Sequence, residues 1–303
     1  VPQATTGREV EDERVSVVVM SRNRREELLR SLSRHRAPVV YVDNASTDGS
    51  ADAVSVSFPD VEVVRLARNA GAYGRTIGVR RARTPFVAFA DDDSWWAPGA
   101  LATAAEHFAA HPRLGLIGGR VLVGPEERLD PTCAEMAGSP LPGAPGIPGA
   151  PLLGFIACGA VVRVEAFLAA GGFDDVVRFP GEEERLALDL AEHGWHLSYL
   201  DDVVAHHHPS PVRGTDDARR RALARSAVLT GAMRLPARDA LTRARRMVAQ
   251  SPVQRAGVRD ALPDLPAALR RRRPVSDRVV AQTEMLRRAP VLDSPGHREG
   301  GQR

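Results

Sequence analysis

At 303 residues, 43% hydrophobic and 26% charged, the chain is long enough for one large domain or two modest ones with a buried core. Its two cysteines exclude a disulfide scaffold and a four-thiolate zinc site. All 41 basic residues are arginine, which excludes Schiff-base chemistry, a P-loop lysine and a lysine general base. The longest nearly unbroken apolar run, Leu152 to Val162, is 11 residues, against the ~20 a spanning helix needs. Residues 1–14 are polar and mixed in charge, unlike a basic start followed by an apolar signal core. A cytoplasmic protein with no membrane span and no secretion signal is expected.

The formal net charge of +3 conceals an uneven distribution. Residues 1–210 carry 20 Arg against 29 Asp and Glu, a balance of −9; residues 211–303 carry 21 Arg against 9 acids, +12. An acidic working domain with a basic appendage follows, the appendage suited to anionic partners such as lipid head groups, nucleic acid or a polyanionic substrate. The expected division is an N-terminal tail over 1–13, an α/β domain over 14–212, and an Arg-rich, helical and partly disordered region over 213–303.

Val15 to Met20 is a β-branched run without turn residues and reads as a buried strand. Leu28, Leu29 and Leu32 then fall on one face of a helix over 26–32. Further strands are expected at 39–42, 61–66 and 86–90, with turn chemistry at 44–50 and a helix over 75–82. Strands alternating with helices predict a mostly parallel sheet, and the polar residues gather where strands end, the edge at which such sheets bind ligands. A helix over 98–110 and a strand over 114–123 follow. Residues 138–151, GSPLPGAPGIPGAP, read as a loop bordering the functional groove. The pattern resumes with an extended stretch at 155–162, helices at 165–170 and 182–193, and a strand over 197–204 that delivers His206, His207 and His208. Helices are expected at 216–232 and 237–249, with loose packing or disorder beyond Ser251.

Three consecutive carboxylates, Asp91, Asp92 and Asp93, repel one another unless a cation or many donors neutralise them, and oxygen ligands at a strand end suit Mg2+ or Mn2+. A solvated acidic turn or helix cap explains them equally well. On an extended chain His206 and His208 share a face that His207 does not, so those two are the candidates to complete a mixed carboxylate and imidazole site. Glu182, Glu183 and Glu184 at a helix start are explained by the helix dipole, or functionally by a general base. Asp43 and Asn44, like Arg68 and Asn69, fit either a turn or contact with a nucleotide. Trp95 and Trp96 either pack in the core or stack on a sugar ring.

Taken in order, VSVVVMSRNRREELLRSL, VDNASTDGS, RNAG, FADDDSWW, GGFDD, GEEERLALDLAEHGW and HHH resemble the family 2 glycosyltransferases. The resemblance runs from Val15 to Pro211 and implies a GT-A fold, a Rossmann-like and mostly parallel central sheet flanked by helices, over 14–212. It implies a UDP-, dTDP- or GDP-sugar donor contacted by Ser21, Asn23, Asp43, Asn69, Asp91 and Asp92. Mn2+ or Mg2+ would be held by Asp91 and Asp93 of D-x-D, with His206 or, failing that, His208. Glu183, preceded by Glu182, falls where the family's E-D motif places its catalytic base. Two departures stand out: the motif reads Glu-Glu, and Arg22 replaces the tyrosine of T-Y-N, removing a ring that would stack on the base. An inverting, metal-dependent transfer to a saccharide, lipid-linked or small-molecule acceptor is the implied activity, with contact to an anionic membrane and no nucleic-acid partner. The alternatives are a sugar nucleotidyltransferase, which would want a Gly-rich phosphate loop and a lysine, and a non-catalytic polyanion-binding protein on a degenerate sheet.

Overall fold

Val15–Ser21 forms β1, and its side chains alternate between two buried layers. Val15, Val17 and Val19 join one core cluster, while Val18 joins the other. A strand apolar on both faces belongs inside a sheet covered on both sides by helices, and this accounts for the uninterrupted valine run. In a computed structural model, residues 10–209 and 215–289 are described. The expected boundary at 212/213 and the chain ends at 1–9 and 290–303 lie outside them.

From β1 the chain runs through α1 (Arg25–Leu32), β2 (Val39–Asp43), α2 (Ser50–Ser57), β3 (Glu62–Arg65), α3 (Tyr73–Arg81) and β4 (Phe86–Ala90). Next come β5 (Ser94–Trp96), α4 (Ala100–Ala110), β6 (Leu114–Val123), β7 (Arg128–Leu129), α5 (Pro131–Ala137) and β8 (Ala150–Pro151). Then follow β9 (Ala160–Arg163), α6 (Val164–Ala169), α7 (Glu182–Glu192) and β10 (His196–His207). The sheet order is β3-β2-β1-β4-β9-β6-β10-β5, with β7 on β6 and β8 on β10. The first four strands are parallel, β9 is antiparallel to both neighbours, and β10 runs parallel to β6. Leu28, Val54, Leu101 and Phe108 pack α1, α2 and α4 on one face. Val79, Phe167, Leu186 and Leu190 pack α3, α6 and α7 on the other.

Two elements depart from the sequence expectation. Ser94–Trp96 forms a short strand directly after the acidic triplet, and the last strand extends to His207 to pair with it. Beyond Ser251 the chain is helical rather than loose. After α8 (Asp216–Arg234) and α9 (Ala237–Gln250) come α10 (Pro252–Ala261), α11 (Leu265–Arg270) and α12 (Asp277–Arg288). Pro252 sits in the first turn of α10 and Ser251 caps it, its Oγ accepting from the Gln254 N–H at 3.1 Å. Proline there starts a helix instead of breaking one, because that N–H has no partner anyway.

The C-terminal helices close on the sheet domain through α7. Val176, Val177, Leu229, Met233 and Ala261 form one buried cluster, and Leu153, Leu188, Val275 and Val279 another. Each fully buried aliphatic contributes about 1.5–3 kcal/mol. Asp189 on α7 lies between Arg185 and Arg234, whose Nη2 donates to it at 3.1 Å, and all three are buried.

Candidate active site

The C-terminal ends of β1, β2 and β4 converge on one edge. Asp43 closes β2 with a buried carboxylate that accepts from the Ser46 N–H at 3.1 Å and from the Tyr41 hydroxyl at 3.3 Å. Asn44 accepts from the Ala70 N–H at 2.7 Å and donates to the Gly71 carbonyl at 3.2 Å, so the RNAG loop is pinned beside the second strand. Within that loop Asn69 accepts from the Gly71 N–H at 2.9 Å. Asn23, at φ 55°, accepts from the Thr47 N–H at 2.8 Å and ties the end of β1 to the same turn. Ser21 is buried beside Asp92, its hydroxyl tending to hold that carboxyl's pKa down. The donor-side candidates Ser21, Asn23, Asp43, Asn69, Asp91 and Asp92 thus share the carboxyl edge of the parallel strands.

Burial, followed by the charges of Asp93 and Asp91, pushes Asp92 up to about 7. Arg75 meets the triplet from α3: its Nη2 donates to Asp91 Oδ1 at 2.6 Å, while its Nη1 reaches Glu182 Oε1 at 3.1 Å. Burial alone would lower the guanidinium's pKa, but the facing carboxylates of Asp91 and Glu182 outweigh it and keep Arg75 charged. Two glycines let α3 approach closely enough for this contact. A Cβ at Gly78 would stand 2.4 Å from Val18 Cγ1, and one at Gly74 2.7 Å from Met20 Sδ. Sequence reasoning missed Arg75, since an arginine on a short helix carries no sign of which way it faces.

The histidines differ from expectation in which of them meets the acidic edge. His207 Nε2 lies 3.3 Å from Asp93 Oδ1. His206 and His208 do share a side, but it faces Trp95: His206 stacks on the indole at 5.3 Å and His208 meets it edge-on at 4.7 Å. His206 also stands 3.2 Å from Glu127 Oε1. The reason is the pairing with β5, which sets His206 opposite Trp95 and His207 opposite Ser94. A register shift between Leu200 and Val204 precedes it. Trp95 therefore packs among histidines and under Arg34, 4.0 Å from the ring centre, while Trp96 is buried and donates to the Phe89 carbonyl at 3.1 Å.

Among the described residues, no three His, Cys, Asp or Glu side chains converge at metal-ligand distance. By type alone, Asp91, Asp93 and His207, the last beside Asp93, offer the oxygen and nitrogen donors that a divalent cation takes.

Gly181, at φ +100°, turns the chain into α7 and places Glu182, Glu183 and Glu184 in its first turn. Glu182 is buried against Arg75, and Glu184 is held by both Nη atoms of Arg243 on α9. Glu183 and Glu184 both line a cavity of about 540 Å³ between α5, residues 152–155 and the C-terminal helices. Burial raises the pKa of both Glu182 and Glu183. Of the Gly/Pro-rich loop, Ser139 reaches this cavity, while Leu141 is buried against Leu153, Leu188 and Val275.

A sheet edge of polar strand ends with an acidic triplet, facing a glutamate-bearing helix, is the arrangement of a GT-A glycosyltransferase. Residues 16–168 match the model of glycosyl transferase family 2, and the chain belongs to that family. It is 25% identical over 213 residues to the N-acetylglucosaminyl-diphospho-decaprenol L-rhamnosyltransferase of Mycobacterium tuberculosis, covering 59% of this chain and 69% of that protein. Its fold is similar to that of mannosyltransferase PcManGT from Pyrobaculum calidifontis in complex with GDP-Man and Mn2+. That match has a TM-score of 0.53 and 21% identity and covers 89% of this chain and 78% of the other. It is also similar to S. aureus TarS 1-349 in complex with UDP, with a TM-score of 0.55, 17% identity and coverage of 89% and 83%. At these identities the structural likeness is one of fold. The family match stops at residue 168, before the glutamates and the histidines. No helix among the described residues is long and apolar enough to cross a membrane.

Proposed function

We propose that this glycosyltransferase uses a nucleotide-diphosphate sugar and a divalent cation, inverts the anomeric centre, and employs Glu183 as its base. The carrying observation is the division among three adjacent glutamates: Glu182 is held by Arg75, and of Glu183 and Glu184, which both line the cavity, it is Glu184 that Arg243 holds. On the donor side, Ser21, Asn23, Asp43 and Asn69 would surround the nucleoside. Asp91 and Asp93, with His207 replacing His206 and His208 as the imidazole, would hold Mn2+ or Mg2+. When bound, that ion neutralises charge on the departing diphosphate. Glu183 takes the proton of the acceptor hydroxyl as its oxygen attacks the anomeric carbon from the face opposite the leaving group. GDP-Man with Mn2+ in one structural neighbour and UDP in another support the donor class. The diphospho-decaprenol in the relative's name supports a lipid-linked acceptor, which the basic C-terminal helices would meet at an anionic membrane.

The test is thermal stability of the chain against UDP, GDP and dTDP, each with and without Mn2+. Ligands that bind only the folded state raise its melting temperature by mass action. A rise with one nucleotide only when Mn2+ is present is expected, and it names the base. A flat response across the series would sink the donor reading.

A further inference from the structure

The cavity beside Glu183 presents mostly apolar wall surface. Met136, Leu152 and Phe155 form its sheet-domain side, and Leu223, Ala227 and Met247 its C-terminal side. Pockets of a few hundred Å³ with such linings enclose small organic molecules. A saccharide bearing hydroxyls on every face would lose hydrogen bonds to water along these walls, at about 2–7 kcal/mol for each group left without a partner. Apolar matter incurs no such loss. Most of the cavity's wall surface is apolar, and it includes two methionines, side chains that adapt to irregular or flexible guests. Polar side chains also line the cavity, among them Glu183, Glu184, Glu135, Arg220 and Gln254.

We infer that the acceptor is a hydroxyl-bearing apolar molecule whose hydrocarbon part occupies this cavity, and that α8 and α9 supply the wall that selects it. The inference rests on the reading of Glu183 as the base, because that residue fixes where the reacting hydroxyl must lie. Two sources share this chemistry, the chain of a hydroxylated membrane lipid and the ring system of a soluble aglycone.

The full chain is titrated with N-phenyl-1-naphthylamine, a neutral probe that brightens in apolar surroundings. Competition follows with 1-hexanol, 1-octanol, 1-decanol, 2-naphthaleneethanol and methyl β-glucoside. Saturable probe binding is expected, displaced by the alcohols and not by the glucoside. A lipid-chain site gives displacement that strengthens with chain length, by up to about fourfold per methylene. A ring-selective site responds best to 2-naphthaleneethanol; either pattern supports the class and names the source. Ala227→Phe fills the cavity and should weaken probe binding about tenfold or more. Leu223→Gln makes its wall polar at a side chain already 38% exposed, so the core is spared, and it should weaken binding in the same direction. Absence of saturable binding, equal displacement by methyl β-glucoside, or wild-type affinity in both folded variants would overturn the inference. The nucleotide and Mn2+ thermal shift, measured on the same wild-type sample, separates the two readings. If that shift is present and the probe experiment fails, only the acceptor inference falls. If the shift is absent and probe binding is intact, it is the donor reading that fails.

Discussion

Arg75 joins two carboxylates that lie 91 positions apart in sequence, Asp91 and Glu182, with its own side chain 3% exposed. It occupies Glu182, and on the proposed assignment Glu183 then meets the acceptor, which is why the exchange Glu183→Gln is the informative one. Turnover should fall by about 10²–10⁴-fold while the KM for donor stays near its wild-type value, as steady-state kinetics would show. Because burial raises the pKa of Glu183, the acid limb of the kcat/KM profile should lie above the ordinary carboxylate range. The second residue-scale expectation concerns Asp92, pushed up to about 7 by burial and its acidic neighbours. A carboxyl whose pKa is higher folded than unfolded favours folding fully below its unfolded pKa near 4. That contribution disappears as pH rises through about 7. In chelator, Asp92→Asn should therefore gain stability over wild type between pH 4 and 7, on the order of 1–3 kcal/mol by urea unfolding. A constant difference across that range would show that Asp92 titrates normally. Of these residues the sequence announced the triplet and the glutamates, whose adjacency is itself a signal. Arg75 left none, because its role exists only once α3 crosses β1 and α7 begins nearby.

Among the elements, the parallel strands and their helices were legible because a buried parallel sheet demands continuous apolar runs, as at 15–20, 39–42 and 86–90. Two pieces were not. Ser94–Trp96 is too short to show a period, and three consecutive histidines have no alternation to read, so their pairing and the face presented by His207 came only with the fold. In the C-terminal region proline and arginine resembled a disordered composition, yet Pro252 starts a helix and several arginines cap carbonyls or meet acids. Arg272 donates to the Leu235 carbonyl at 2.8 Å, and Arg221 pairs with Asp260. The joint between α7 and α8 gives the prediction at this scale. Asp189→Ala leaves the buried guanidinium groups of Arg185 and Arg234 without their shared carboxylate, a loss of about 3–5 kcal/mol. Chemical denaturation should register it as a lower midpoint; an unchanged midpoint would mean that the apolar clusters alone hold the helices.

Across the whole molecule, charge and exposed hydrocarbon coincide on the C-terminal helices. No residue of α9 is buried; Leu241 and Val248 are 50% and 38% exposed, and Arg238, Arg245 and Arg246 are exposed with them. Such a helix suits an anionic interface. Vesicles containing phosphatidylglycerol should sediment the protein at low salt and release it as salt is raised, whereas pure phosphatidylcholine vesicles should not retain it. Equal retention on both would assign the contact to hydrocarbon alone. The cavity has a different kind of consequence, because its two walls come from stretches of chain far apart in sequence. On the proposed assignment, donor choice and acceptor choice can diverge separately during descent. Recombination that exchanged everything from α8 onward between relatives would transplant the acceptor preference, provided the arginine at 234 and the aspartate at 189 remained matched across the seam.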